Sequence, residues 1–157
     1  MPQNYEIDNI DLKILEVLSK NAKKPYTEVA KQVYVSGGTV HVRMKKLEEM
    51  GVVKGNSLLV DYARLGFDIT AFIGIFLSKS ALYNEVISQL KQVPEIVNVH
   101  YTTGNYSMFA KMYCRDTNHL KNVLYDKVQK IDGIVRTDTM ISLEESVSRN
   151  LNLESAD

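Results

Sequence analysis

The sequence predicts an α+β chain of two domains, three short helices with a small hairpin followed by a β-α-β-β-α-β sheet domain. Two observations carry that prediction. Up to about residue 50, apolar residues recur every three or four positions, the period of amphipathic helices. From residue 69 onward, runs such as "ITAFIGIFL" and "SMFAKMYC" follow the two-residue period of strands, with helical stretches between them.

In the first helix Ile7, Ile10, Ile14, Val17 and Leu18 fall on one face with Leu15 at its edge. Asp8 suits the N-cap, and Asn21 with "KKP" closes the helix. Leu12 lies opposite the apolar face and reads as an incidental exposed leucine. A second helix over 26–33 buries Val29, Ala30 and Val33. After the turn "YVS", a third helix opens with Ser36 as N-cap and turns Val40, Met44 and Leu47 inward.

Its opposite side carries Gly38, His41, Val42, Lys45, Lys46 and Glu49, with Arg43 on the flank. Two helices joined by a tight turn, the second presenting cations from its first turns, form a helix-turn-helix. "GVVKGNSLLVD" reads as a hairpin, 52–54 and 57–60 about Gly55-Asn56, which makes the head winged. Such a helix fits the DNA major groove, where phosphates attract cations and helix N-terminal amides add to that attraction. Lys45 and Lys46 are placed for phosphate and Arg43 for phosphate or base. Gly38, Thr39, His41 and Val42 lie nearest base edges, and Ser36 opens the helix. The competing reading is a head that contacts protein, leaving an amino-acid sensor or assembly module.

The bulk composition sets limits. Of 157 residues, 45% are apolar and 24% charged, an ordinary globular balance. Lys and Arg number 19, as do Asp and Glu, but the charge is unevenly spread, and 39–47 holds three Lys/Arg and no acid. A neutral total therefore leaves a nucleic-acid partner open. The polar start "MPQNYEIDNID" argues against a signal peptide, and the lack of an 18-residue apolar run argues against a membrane span. The single cysteine, Cys114, fits a reducing cytoplasm. A cytoplasmic protein with no membrane partner is expected.

In the second domain the first strand alternates Ala71, Ile73 and Ile75 with Phe72, Gly74 and Phe76. A helix over 82–90 carries Leu82, Val86, Ile87 and Leu90. The strands "IVNVHYTT" and "SMFAKMYC" flank "GNY", a helix then buries Leu120, Val123, Leu124, Val128 and Ile131, and a last strand spans 135–143. This is the ferredoxin-like plan, in which two helices cover one face of an antiparallel sheet. The other face also reads as apolar, so a second copy is expected against it, giving a homodimer. The domains are expected at 1–54 (head), 55–68 (linker and hairpin strand), 69–150 (sheet domain) and 151–157 (polar tail).

"IDNIDLKILEVL", "EVAKQV", "SGGTVHVRMKKLEEMGVVKG" and "YTTGNYSMFAK", in that order, resemble the Lrp/AsnC (leucine/asparagine-responsive) transcription regulators from Tyr5 to Asn150. "TVHVR" and "YTTGNYS" look closest to the asparagine-responsive branch. The resemblance implies a winged helix-turn-helix reading promoter DNA, joined to an amino-acid-sensing domain that dimerises through its sheets and assembles into octamers. It places the effector between dimers, at Tyr101, Thr102, Thr103, Gly104, Asn105, Tyr106 and Ser107. Glycine at position 104 and flanking hydroxyls would suit a zwitterion, whereas "GNY" alone also reads as a plain hairpin turn.

Three positions depart from the family's habit. Tyr34 stands where glycine is common and costs on the order of 1 kcal/mol if the turn is left-handed. Gly37 replaces a frequent proline after the cap. Asn105 and Ser107 replace acids, which favours a neutral effector such as asparagine over a cationic one.

Catalysis is not expected. Cys114 alternates with Met108, Ala110 and Met112 and reads as a buried apolar filler. His100 and Asp116 form no persuasive constellation with it, and His119 reads as a solvated group at a helix start. No HExxH, paired CxxC, Walker loop or GxGxxG occurs, so neither a metal nor a nucleotide cofactor is indicated. Glu144 and Glu145 read as a solvated pair.

Overall fold

A computed structural model describes residues 5–153; residues 1–4 of the expected head and 154–157 of the expected tail lie outside the described residues. Two compact units emerge. One comprises the residues through Leu59 together with those from Val147 onward, and the other is Val60–Ser146.

In the head, α1 (Asn9–Lys20) begins with a reciprocal cap: the Asp8 carboxylate accepts from the Ile10 and Asp11 amides, and the Asp11 carboxylate accepts from the Asp8 amide. Asn21 closes the helix. The second helix, α2 (Tyr26–Val33), ends at Tyr34, whose φ of 58° and ψ of 45° are left-handed. The turn therefore demands the conformation that favours glycine, and tyrosine adopts it while 93% exposed. The third helix, α3 (Gly37–Glu49), starts under Ser36, whose hydroxyl accepts from the Thr39 amide at 3.1 Å. Ile14, Leu18, Val29, Ala30, Val33, Val40, Met44 and Leu47 form the core. Ile7 precedes α1 and is exposed, so it is not part of the apolar face.

One expectation fails here. The hairpin over 52–60 is not formed. The Val52 and Val53 amides instead donate to the Leu47 carbonyl, 2.9 and 3.1 Å away, and close the end of α3. Residues 54–60 follow as an exposed segment outside any strand, with Leu58 78% and Leu59 96% exposed. A two-stranded hairpin with no apolar surface beneath it is marginal in water. Beyond the sheet unit the chain is bonded back to α1. The Asn150 side-chain amide donates to the Ser19 carbonyl at 2.7 Å, and the Leu153 amide donates to Glu16 at 3.0 Å. Carbonyls in the last turn of a helix lack intrahelical partners, and Asn150 supplies one.

The sheet unit contains β1 (Ile69–Leu77), α4 (Tyr83–Leu90), β2 (Ile96–Tyr101), β3 (Met108–Cys114), α5 (Thr117–Asn122) and β4 (Ile134–Ile141). The strand order is β2-β3-β1-β4 with every neighbour antiparallel, the expected ferredoxin-like arrangement. After α5 the chain continues through Val123–Val128 as a π-helix. Bonds five residues apart let Val123 and Val128 share the buried face, whereas Leu124 is only half-buried.

One face of the sheet is sealed. Ala71, Ile73, Ile75, Met108, Ala110, Met112 and Cys114 are buried there with Val86, Leu90, Leu120, Val123 and Val128 from the helical segments. The alternate residues Phe72, Phe76, Phe109 and Tyr113 occupy the other face and are only half-buried.

Candidate nucleic-acid interface and ligand loop

On α3, Val40, Met44 and Leu47 anchor the helix to the core and leave Gly38, His41, Val42, Lys45 and Lys46 exposed, as the sequence spacing implies. Lys45 has only a 4.0 Å approach to exposed Glu49. Lys46 lies 4.8 Å from the ring centroid of Tyr5, and His41 lies 6.1 Å from the ring of Tyr26. Ser36 and Thr39 share a 2.8 Å hydroxyl contact, so both also serve the cap.

The Arg43 side chain turns inward. Its Nη1 stands 2.8 Å from Asp8 and 2.9 Å from Asp11, and it donates to the Tyr5 hydroxyl at 3.2 Å. Asp11 is fully buried and accepts from the Tyr5 hydroxyl at 2.8 Å. The Asp11 and Asp8 bonds raise the Arg43 pKa further. The Asp11 amide, and then Arg43, hold the Asp8 carboxyl below its ordinary range. Burial, and then Asp11, push the Tyr5 phenol up. The guanidinium thus bridges α3 to the start of α1, and releasing it toward DNA would leave a buried carboxylate unpaired. The signal was present in the sequence as "DNID", two acids three apart at the start of α1.

The seven residues of the loop point to different surroundings. Gly104, at φ 100°, turns the chain. The Thr102 hydroxyl donates to the Tyr106 carbonyl at 2.8 Å, and the Ser107 hydroxyl accepts from the Leu77 amide at 3.2 Å. These two hydroxyls hold the loop together rather than facing outward. Tyr101 packs on Tyr83 with centroids 4.6 Å apart, while Tyr106 turns to the open sheet face, 5.2 Å from Phe76 and 6.0 Å from Phe109. Thr103, Gly104 and Asn105 form an exposed apex, and Tyr101 is exposed as well. Tyr83 also lines a groove of about 500 Å³ between α4 and β2, with Ile87, Asn98 and Val99; no motif in the sequence points to it.

Cys114 is fully buried and its thiol is pushed up to about 11, chiefly by that burial. Asp116 caps α5 by accepting from the His119 amide at 2.7 Å. His119 is not a free surface group. Its Nδ1 accepts from the Arg115 amide at 3.1 Å, which leaves Nε2 to donate to Glu95 at 3.2 Å. Glu95 also accepts from Lys127 at 2.6 Å. Burial pushes the Glu95 carboxyl up, but the Lys127 and His119 bonds outweigh it and the net direction is down. Among the described residues no cluster of His, Cys, Asp and Glu could hold a metal, and no helix is long and apolar enough to cross a membrane.

A winged helix-turn-helix DNA-binding family matches residues 7–54, and the Lrp/AsnC ligand binding domain matches residues 70–151. The chain belongs to the Lrp/AsnC family. It is 43% identical to the regulatory protein AsnC of Haemophilus influenzae, over 94% of this chain and 98% of that one. It is 42% identical to the HTH-type transcriptional regulator FL11 of Pyrococcus furiosus, over 88% of this chain and 90% of that one. The structure of Escherichia coli AsnC superposes with a TM-score of 0.88 at 40% identity, covering 94% of this chain and 99% of that chain. A transcriptional regulator of Neisseria meningitidis solved in complex with L-Met shares the fold at TM-score 0.87 and 21% identity, covering 92% and 94% of the two chains. This Lrp/AsnC chain is thus a DNA-binding transcription regulator with an amino-acid-binding domain.

Proposed function

We propose that α3 enters the DNA major groove with Lys45 and Lys46 toward phosphates and Gly38, Thr39, His41 and Val42 toward base edges, while Ser36 fixes the helix start. Arg43 is a positioning residue. One observation carries this reading: the exposed side of α3 bears its unlocked cations, whereas the arginine beside them is tied inward. Two copies pairing through the open sheet face would present two heads, whose half-sites lie roughly 34 Å, one helical turn, or multiples apart. Exposed Leu58 and Leu59 add apolar surface that a partner would cover. Such dimers assemble into octamers in the cytoplasm, and the effector between them is a small neutral amino acid, asparagine foremost, held at the apex Thr103–Gly104–Asn105. Binding there shifts the assembly and with it the spacing of the heads.

The test is titration of duplex promoter DNA across a salt series. A steep negative slope of log affinity against log salt is expected; a flat one assigns the head to a protein partner. Calorimetric titration with the common amino acids tests the effector, and tight lysine binding without asparagine binding would reverse its charge class.

A further inference from the structure

Gly74 sits in the middle of β1, where a glycine weakens a strand and has no side chain to pack. Its φ is not in the left-handed region, so the backbone does not require glycine there. Space does. A Cβ at position 74 would penetrate the ring of Tyr106, lying 2.6 Å from its Cζ. Gly74 alternates with the buried Ile73 and Ile75, so the ring lies on the face that the helices leave open. There it completes an aromatic row, with Phe76 at 5.2 Å, Phe109 at 6.0 Å, and Phe109 stacked on Phe72 at 5.8 Å. Aromatic cover of a strand glycine is a known stabilising device. Here the cover is supplied by the ligand loop. The next residue is bound to the same strand, its amide donating to the Ile75 carbonyl at 2.9 Å and its hydroxyl accepting from Leu77.

We infer that Gly74 is the seat of Tyr106, and that this seat couples amino-acid occupancy of the loop to pairing of two copies across the sheet face. The inference rests on the reading that the loop holds the amino acid and that this face pairs. The loop's C-terminal leg cannot move relative to β1 unless the ring leaves the glycine, and a ring that leaves alters the surface a second copy would meet. Gly74 acts through Tyr106 and touches no ligand.

The experiment follows dimer dissociation of the full chain by sedimentation, with and without the amino acid that binds best by calorimetry among the common set. In the wild type, saturating amino acid shifts the dimer midpoint fivefold or more, the lower end of ordinary coupling. In Tyr106→Ala, and in Gly74→Ala, that shift falls below twofold. The double variant Gly74→Ala/Tyr106→Ala is no worse than Tyr106→Ala alone, because the added methyl has nothing left to displace. A full shift in Tyr106→Ala overturns the coupling, and so do additive losses in the double variant. Tyr106→Ala introduces no clash, so the coupling test stands even where Gly74→Ala fails to fold. A wild type that binds no common amino acid, or stays monomeric, refutes the underlying reading itself and takes the inference with it.

Discussion

In the head, Arg43 holds α3 through charge; in the sheet unit, Tyr106 holds the loop through aromatic packing. Among the described residues, eight form the head's core and fourteen the core of the sheet unit. With so few core side chains, apolar contact constrains the rotation of a short helix only loosely. Arg43, Asp8, Asp11 and Tyr5 add directional bonds that permit one orientation. Such a network contributes little net stability but costs much when one member is removed. The sheet unit has ladders on both sides of β1 and a sealed face, so its loop needs only shape to be placed. A cation's position along the helix does not fix where its charge points; the partners that folding brings to it do.

Breaking each device separately sharpens the contrast. Ile73→Ala opens a cavity in the sealed face and should lower the stability of the sheet unit by about 4 kcal/mol; a denaturant midpoint that barely moves would deny that this face carries the unit. Arg43→Met should destabilise the head by about 3 kcal/mol while leaving the salt slope of DNA binding unchanged at temperatures where the head is folded. A slope lowered by one phosphate's worth would return Arg43 to the interface.

Acid probes the same lock. The Asp8 pKa is lower folded than unfolded, so its stabilisation is present above about 3.9 and is lost as pH falls through the lower folded value. Arg43→Met should flatten the head's acid unfolding. Tyr34→Gly should raise head stability by about 1 kcal/mol by relieving the left-handed tyrosine, and thermal unfolding reads it directly. The smallest structural effect belongs to Lys45→Ala, within about 0.5 kcal/mol of wild-type stability, yet its salt slope should fall by about 0.9. An unchanged slope would mean that Lys45 never meets phosphate.

Much of the fold could be read along the chain because the forces involved act over a few residues. The caps at Asp8 and Ser36 join atoms two or three residues apart, and the alternation along β1 and β3 records directly which side is sealed. The left-handed turn at Tyr34 was legible from the family's preference for glycine. The missing hairpin shows the limit of the same logic. "VVKGNSLLV" has turn chemistry and β-branched residues, but a hairpin also needs a surface to lie on, which local sequence does not reveal.

Local pattern and collinear motifs were thus enough for the order of the main helices and the four sheet strands, the inward faces of the helices, the family and the exposed cations of α3, but not for the missing hairpin. Only the tertiary structure could assign Arg43, whose partners lie 35 and 32 positions earlier in the chain. It alone divided the 101–107 loop between apex, helix and sheet, seated Tyr106 on Gly74, and returned Asn150 to the end of α1. The reason is physical. A side chain's hydrogen bonds and van der Waals contacts are satisfied by whatever atoms folding brings within a few ångströms, and those atoms carry no mark of adjacency in the sequence.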